Sequence, residues 1–143
     1  MTRELFAEGF VERKSRSAYI PFRFVGDDTP RQALFDTGFN RDLAVPSTLF
    51  DYLMEAGLIR SVVEDQEYIA AITVGRGRQG ETDILLPGRP DAYPERRLNG
   101  LCVVEFNMGK ENIMGIGPFL ENDAGHFVVN LEAGIKIYRG DEE

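Results

Sequence analysis

The chain has 143 residues, of which 43% are hydrophobic, with one cysteine, one histidine and a formal net charge of -8 at pH 7. That length supports one domain with a real core and excludes two full enzyme lobes, while the apolar content excludes disorder as the main state. The negative charge argues against nucleic acid as a partner, because recognition of a phosphate backbone needs Lys and Arg clustered on one face.

Residues 1–17 are polar and charged with little periodicity, and they read as an N-terminal extension or loose first strand ahead of a domain spanning 18–143. Within them, Arg13-Lys14-Ser15-Arg16 is too short and too poor in aromatics for a nucleic-acid platform and reads as solvated surface, as does Arg76-x-Arg78. The start, Met1-Thr2-Arg3-Glu4-Leu5-Phe6, lacks the apolar core of a signal peptide, and no run reaches membrane-spanning length. A cytoplasmic location without membrane contact is the expectation.

From Ala18 the alternation Ile20, Phe22, Phe24 predicts a half-buried strand, and Gly26-Asp27-Asp28-Thr29-Pro30 supplies the turn after it. Asp27 and Asp28 are expected to cap that turn as solvated charges. The return arm Arg31-Gln32-Ala33-Leu34-Phe35 runs into Asp36-Thr37-Gly38, where a polar residue and a glycine interrupt an apolar strand. Leu43-Ala44-Val45 follows, then Pro46 and a helical spacing of Leu49, Phe50, Leu53, Met54 and Leu58. Thr48 with Asp51 matches a capping box, and Gly57 suits the helix end, giving one helix of about ten residues.

Glu67 to Val74 and Glu81 to Pro87 read as two strands joined by a mobile glycine-rich tip, Gly75-Arg76-Gly77-Arg78-Gln79-Gly80. Glu64, Asp65 and Glu67 read as a polar strand edge that discourages unwanted pairing. Gly88 to Arg97 is a loop, Leu101 to Phe106 a strand, and Phe127, Val129, Leu131 and Ile135, Ile137 form a final hairpin about Glu132-Ala133-Gly134. Short strands, glycine-rich turns and a single helix point to an all-β barrel or sandwich. Cys102, in Leu101-Cys102-Val103-Val104, reads as an inert core thiol; with one Cys and one His no Cys/His metal site forms, and no cofactor is expected.

Peptide hydrolysis without a metal or covalent intermediate needs two carboxylates close enough to share a proton, one accepting a proton from water and the other polarising the scissile carbonyl. Like charges about 3 Å apart cannot both ionise, so such a pair titrates as a unit. Asp-Thr-Gly suits this chemistry: an aspartate exposed at a sharp loop, a hydroxyl able to bond across a two-fold axis, and a glycine permitting close backbone approach. The tripeptide alone is weak, arising by chance in on the order of a few per cent of chains this long. For Asp36 the plain alternative is a turn aspartate capping its own backbone.

Context decides. Ala33-Leu34-Phe35-Asp36-Thr37-Gly38-Phe39-Asn40, followed by Leu43-Ala44-Val45-Pro46 and a helix, resembles the active-site segment of the bacterial branch of retropepsin-like (clan AA) aspartic proteases. Ile113-Met114-Gly115 resembles the family's second element, which passes beneath the catalytic loop, and Phe127 to Ile137 its final hairpin. The resemblance covers about residues 18–138 and implies a closed retropepsin-like (acid protease) barrel with one short helix. It further implies a symmetric homodimer, a polypeptide substrate bound in extended form, and a flap from each subunit. With one Asp-Thr-Gly per chain, a two-fold dimer must supply the second aspartate. Asp36 would then be the acid, Thr37 the lock between loops and Gly38 the point of close approach, with Gly75 to Gly80 as the flap. One departure stands out: where the family commonly places a polar residue after the second element, this chain has Ile116-Gly117-Pro118. That segment motivates the alternative of a non-catalytic dimerisation or peptide-binding module on the same fold.

Overall fold

The computed structural model describes residues 3–70, 73–107 and 109–140. Strand β1 (Glu4–Glu12) is followed by β2 (Ser17–Phe24), β3 (Arg31–Phe35), β4 (Leu43–Val45) and helix α1 (Ser47–Glu55). Then come β5 (Arg60–Ala70), β6 (Thr73–Leu86), β7 (Arg96–Glu105), β8 (Asn112–Met114), helix α2 (Gly117–Leu120), β9 (His126–Asn130) and β10 (Gly134–Arg139). The pairings β2–β3, β3–β8, β8–β4, β4–β7, β7–β6 and β6–β2 return to their start, so six strands close a barrel. Closure removes sheet edges there. Among the described residues two edges remain outside the ring, β5 along β6 and β9 beyond β10.

Alternation explains why these segments are strands. Ile20, Phe22 and Phe24 of β2 point inward and are buried, packing with Leu43, Val45, Ile84, Leu86, Val103 and Met114 in one core. Phe50 and Leu53 of α1 are fully buried, which fixes the helix against the barrel by about 2–3 kcal/mol per side chain. Gly57, at φ +72°, ends α1 as expected, with its N–H donating to the Met54 carbonyl. The capping box is not formed: Pro46 occupies the N-cap with no side-chain hydrogen bond, which puts Thr48 inside the first turn.

Three further expectations are narrowed or corrected. Of the two readings of the N-terminal segment, a first strand is the one Glu4–Glu12 adopts, and it is built into the sheet, pairing with β10 through Gly9 and with β2 from Phe10 onward. A bulge between Leu5 and Ala7 turns the consecutive Phe6 and Ala7 both inward, which erases the alternation a sequence reader looks for. Residues 75–80 are not a hairpin tip. They lie within β6, paired to β5 through Tyr68↔Gly75, Glu67↔Arg76 and Gln66↔Gly77, and the pairing runs on past them to Ala70↔Thr73. These glycines serve close approach: a Cβ would lie 2.4 Å from the Tyr68 ring at Gly75 and 2.5 Å from the Glu105 carbonyl oxygen at Gly77. Finally, two charges read as solvated face inward. Asp27 is buried and pairs with Arg31 at 3.1 Å. Arg78 bonds Glu105 at 2.9 Å and Asp51 at 2.7 Å, over the Phe50 ring. Arg13 to Arg16, in the β1–β2 turn, are exposed as expected.

Candidate active site

The bend at Asp36 is built by the strands beneath it. Parallel pairing of β3 with β8 sets Phe35 opposite Met114, and the Asp36 N–H donates to the Met114 carbonyl at 2.9 Å. The chain then turns sharply: the Gly38 N–H donates to Asp36 Oδ1 at 2.8 Å and the Phe39 N–H to the Asp36 carbonyl at 3.3 Å. Asp36 therefore does cap its own bend, as the plain reading of a turn aspartate expects, and Oδ2 has no hydrogen-bond partner among the described residues. Thr37 and Gly38 form the exposed tip. Below it, Gly115 passes so close that a Cβ would lie 2.5 Å from the Arg41 carbonyl oxygen and 2.9 Å from that of Phe39. Ile113-Met114-Gly115 thus runs beneath the loop, as its resemblance implies.

Aromatic packing supports the bend on both sides. Phe35 meets Phe119 and Phe127 edge-on at 5.8 and 5.1 Å. Phe39 is buried in a second cluster with Ala44, Tyr68, Val104 and Ile113, its ring 6.0 Å from that of Tyr68. α2 opens at Gly117 with Pro118 in its first turn, so the unusual Ile116-Gly117-Pro118 segment does start a short helix.

The loop is moored to the β5–β6 hairpin by residues that sequence reasoning did not assign. The Asn40 N–H donates to the Ile69 carbonyl at 2.9 Å, and the Ile69 N–H donates back to Asn40 Oδ1 at 2.8 Å. Arg41 Nη2 donates to the Glu67 carbonyl at 2.8 Å. Their only sequence signal is position, immediately after Asp-Thr-Gly. Of Gly75 to Gly80, Gln79 contacts the loop, accepting a 3.4 Å bond from Arg41 Nε.

Beside the bend, a cavity of about 300 Å³ lies between residues 37–42 and Ile116–Gly117. Its half-buried acid is Asp42, whose Oδ2 accepts the Cys102 N–H at 2.8 Å. Burial pushes the Asp42 carboxyl above its ordinary value, with Cys102 and Arg41 opposing and Glu121 assisting. Burial likewise raises the Cys102 thiol to about 11, aided by Asp42, which suits an inert thiol better than a nucleophile. A larger concavity, about 750 Å³, lies elsewhere, beside Glu4, Ala92 and Arg139. Two of its charges, Arg139 and Glu4, already pair at 2.9 Å. Among the described residues no three His, Cys, Asp or Glu side chains group to hold a metal, and no helix is long and apolar enough to cross a membrane.

This barrel, with a tight acidic bend above a crossing apolar-Gly strand, is the retropepsin-like fold. The chain is similar in structure to a retropepsin-like aspartic protease from Rickettsia conorii, with a TM-score of 0.54 at 12% identity over 96% of this chain and 94% of that one. No family model and no curated protein matches the sequence.

Proposed function

We propose that this chain is an aspartic endopeptidase that works as a homodimer on polypeptides bound in extended form. The carrying observation is the Asp36-Thr37-Gly38 bend, held by the Met114 carbonyl at the β3–β8 junction of a retropepsin-like barrel. One carboxylate cannot be both acid and base in the same step, so a second Asp36 must come from a symmetry mate. In the dimer one aspartate takes a proton from water while the other, protonated, donates to the scissile carbonyl. Thr37 bonds across the axis and Gly38 lets the backbones meet.

A surface beside the bend supports such pairing. β9 is an edge strand that exposes Val128 and Val129, with Leu131 just beyond and Leu120 of α2 also exposed. Phe127 of β9 touches Phe35, so this apolar edge is continuous with the catalytic loop. In this reading the covering element is the β5–β6 hairpin, moored through Asn40 and Arg41, and Gly75 to Gly77 belong to its outer arm.

The test is Asp36→Asn assayed beside the unaltered chain on a peptide library between pH 4 and 7. Cleavage is expected to fall on the order of a thousandfold or more, with the dimer retained in sedimentation. Equal cleavage by both chains, or a strictly monomeric chain that cleaves, refutes the proposal. Peptide binding without turnover by the unaltered chain would instead establish the non-catalytic alternative.

A further inference from the structure

Among the described residues, the sheltered carboxylates away from the Asp36 bend divide by their partners. Asp27, Asp83 and Glu105 each hold an arginine, at 3.1, 3.0 and 2.9 Å. Asp42 does not. Its Oδ2 takes the Cys102 N–H, while Oδ1 lies against Gly117, where a Cβ would sit only 2.5 Å from it. No side chain caps the N-terminus of α2, so Asp42 is not spent as a helix cap. Arg41, the cation next in sequence, gives its guanidinium to the Glu67 and Asn40 carbonyls and to Gln79. Glu121 adds a second negative field at Asp42. A half-buried carboxylate with one side-chain hydrogen bond, Arg41 acting on it only from beyond salt-bridge range, is costly, and this one lies on the wall of an open cavity that begins at Thr37.

We propose that the cavity between the catalytic loop and α2 is a site for a cationic side chain, an ammonium or guanidinium group, held by Asp42. Glycine at 117 leaves the room that Oδ1 occupies, and the loop backbone at Thr37 and Gly38 supplies the opposite wall. Two sources carry that chemistry: a lysine or arginine of a bound peptide, or an arginine of the second protomer. The first would make Asp42 a specificity-determining residue, and that assignment rests on the peptidase reading; the cation site itself does not.

The direct probe is methylguanidinium, titrated into the 143-residue chain while the Asp42 carboxyl carbon and the Gly117 and Cys102 amides are followed by NMR. A saturable shift is expected, absent with a neutral isostere and absent in Asp42→Asn; no shift, or the same shift in Asp42→Asn, overturns the site. The source is then read in two arms. Lysine- and arginine-containing peptides, measured against norleucine analogues on Asp36→Asn, should bind about tenfold tighter and lose that preference on adding Asp42→Asn. If instead Asp42→Asn weakens the dimer about tenfold with no change in peptide preference, the cation comes from the partner. Failure of the peptidase reading appears separately, as an unaltered chain that cleaves nothing.

Discussion

Replacing Glu105 by glutamine tests whether the Arg78 pair fastens β6, β7 and α1 together. Arg78 donates to both Glu105 oxygens, at 3.0 and 2.9 Å, and also to Asp51 at 2.7 Å on α1. The Arg78 hydrogen bonds hold the Glu105 carboxyl at about 2 against an ordinary 4.5, outweighing burial, with Ser47 assisting. Such a drop is worth about 3 kcal/mol at neutral pH. The side chains are 21% and 13% exposed, and solvent reaching them screens the figure to roughly 1–2 kcal/mol. Because the folded value is depressed, this stability is complete above about pH 5 and drains away as pH falls toward 2, with roughly two-fifths left at pH 3. Glu105→Gln should therefore lower the unfolding free energy by about 1–2 kcal/mol at pH 7 and by less than about 1 kcal/mol at pH 3. Urea melts of both chains across that range, at one fixed protein concentration, measure it. A penalty that does not shrink with acidity, or none at pH 7, would refute the reasoning.

Phe119→Ala, which empties a fully buried site shared with Phe6, Phe35 and Phe127, should cost about 3–5 kcal/mol in the same melts. Asn40→Ala should speed hydrogen exchange of the Ile69 amide about fivefold, the worth of one net hydrogen bond, while Asn40→Asp, which keeps an acceptor, should restore protection. Cys102, with its thiol raised to about 11 by burial, should alkylate at pH 8 on the order of a hundredfold more slowly folded than in urea; equal rates would show the thiol to be accessible.

Local pattern carried much of this fold. Ile20, Phe22 and Phe24 announced β2 because a half-buried strand alternates, and the apolar spacing from Leu49 to Leu58 announced α1. The turn at Gly134, φ +84°, was readable because a left-handed residue there favours glycine. What escaped was non-local. Glycine's two uses, a positive φ and a close approach, look alike in sequence, so Gly75, Gly77 and Gly80 were read as a turn although Tyr68, Glu105 and Ile59 are what exclude a side chain there. Phe6 and Ala7 hid β1 because a bulge breaks the period. Arg78 looked solvated because Glu105 is 27 positions away. At the site, Asp36-Thr37-Gly38 was readable as a motif, whereas Asn40, Arg41 and Asp42 acquire meaning only from Ile69, Glu67 and Cys102, which lie far along the chain.

Phe35 stands one residue before the acid and wedges between Phe119 and Phe127. The ring stack makes the acidic loop and the outermost strand a single mechanical part, so neither can be redrawn without the other. In an evolving lineage, substitutions at these three rings would arrive as a correlated set, and a small molecule that pried them apart from behind would disable the bend without ever competing for its mouth.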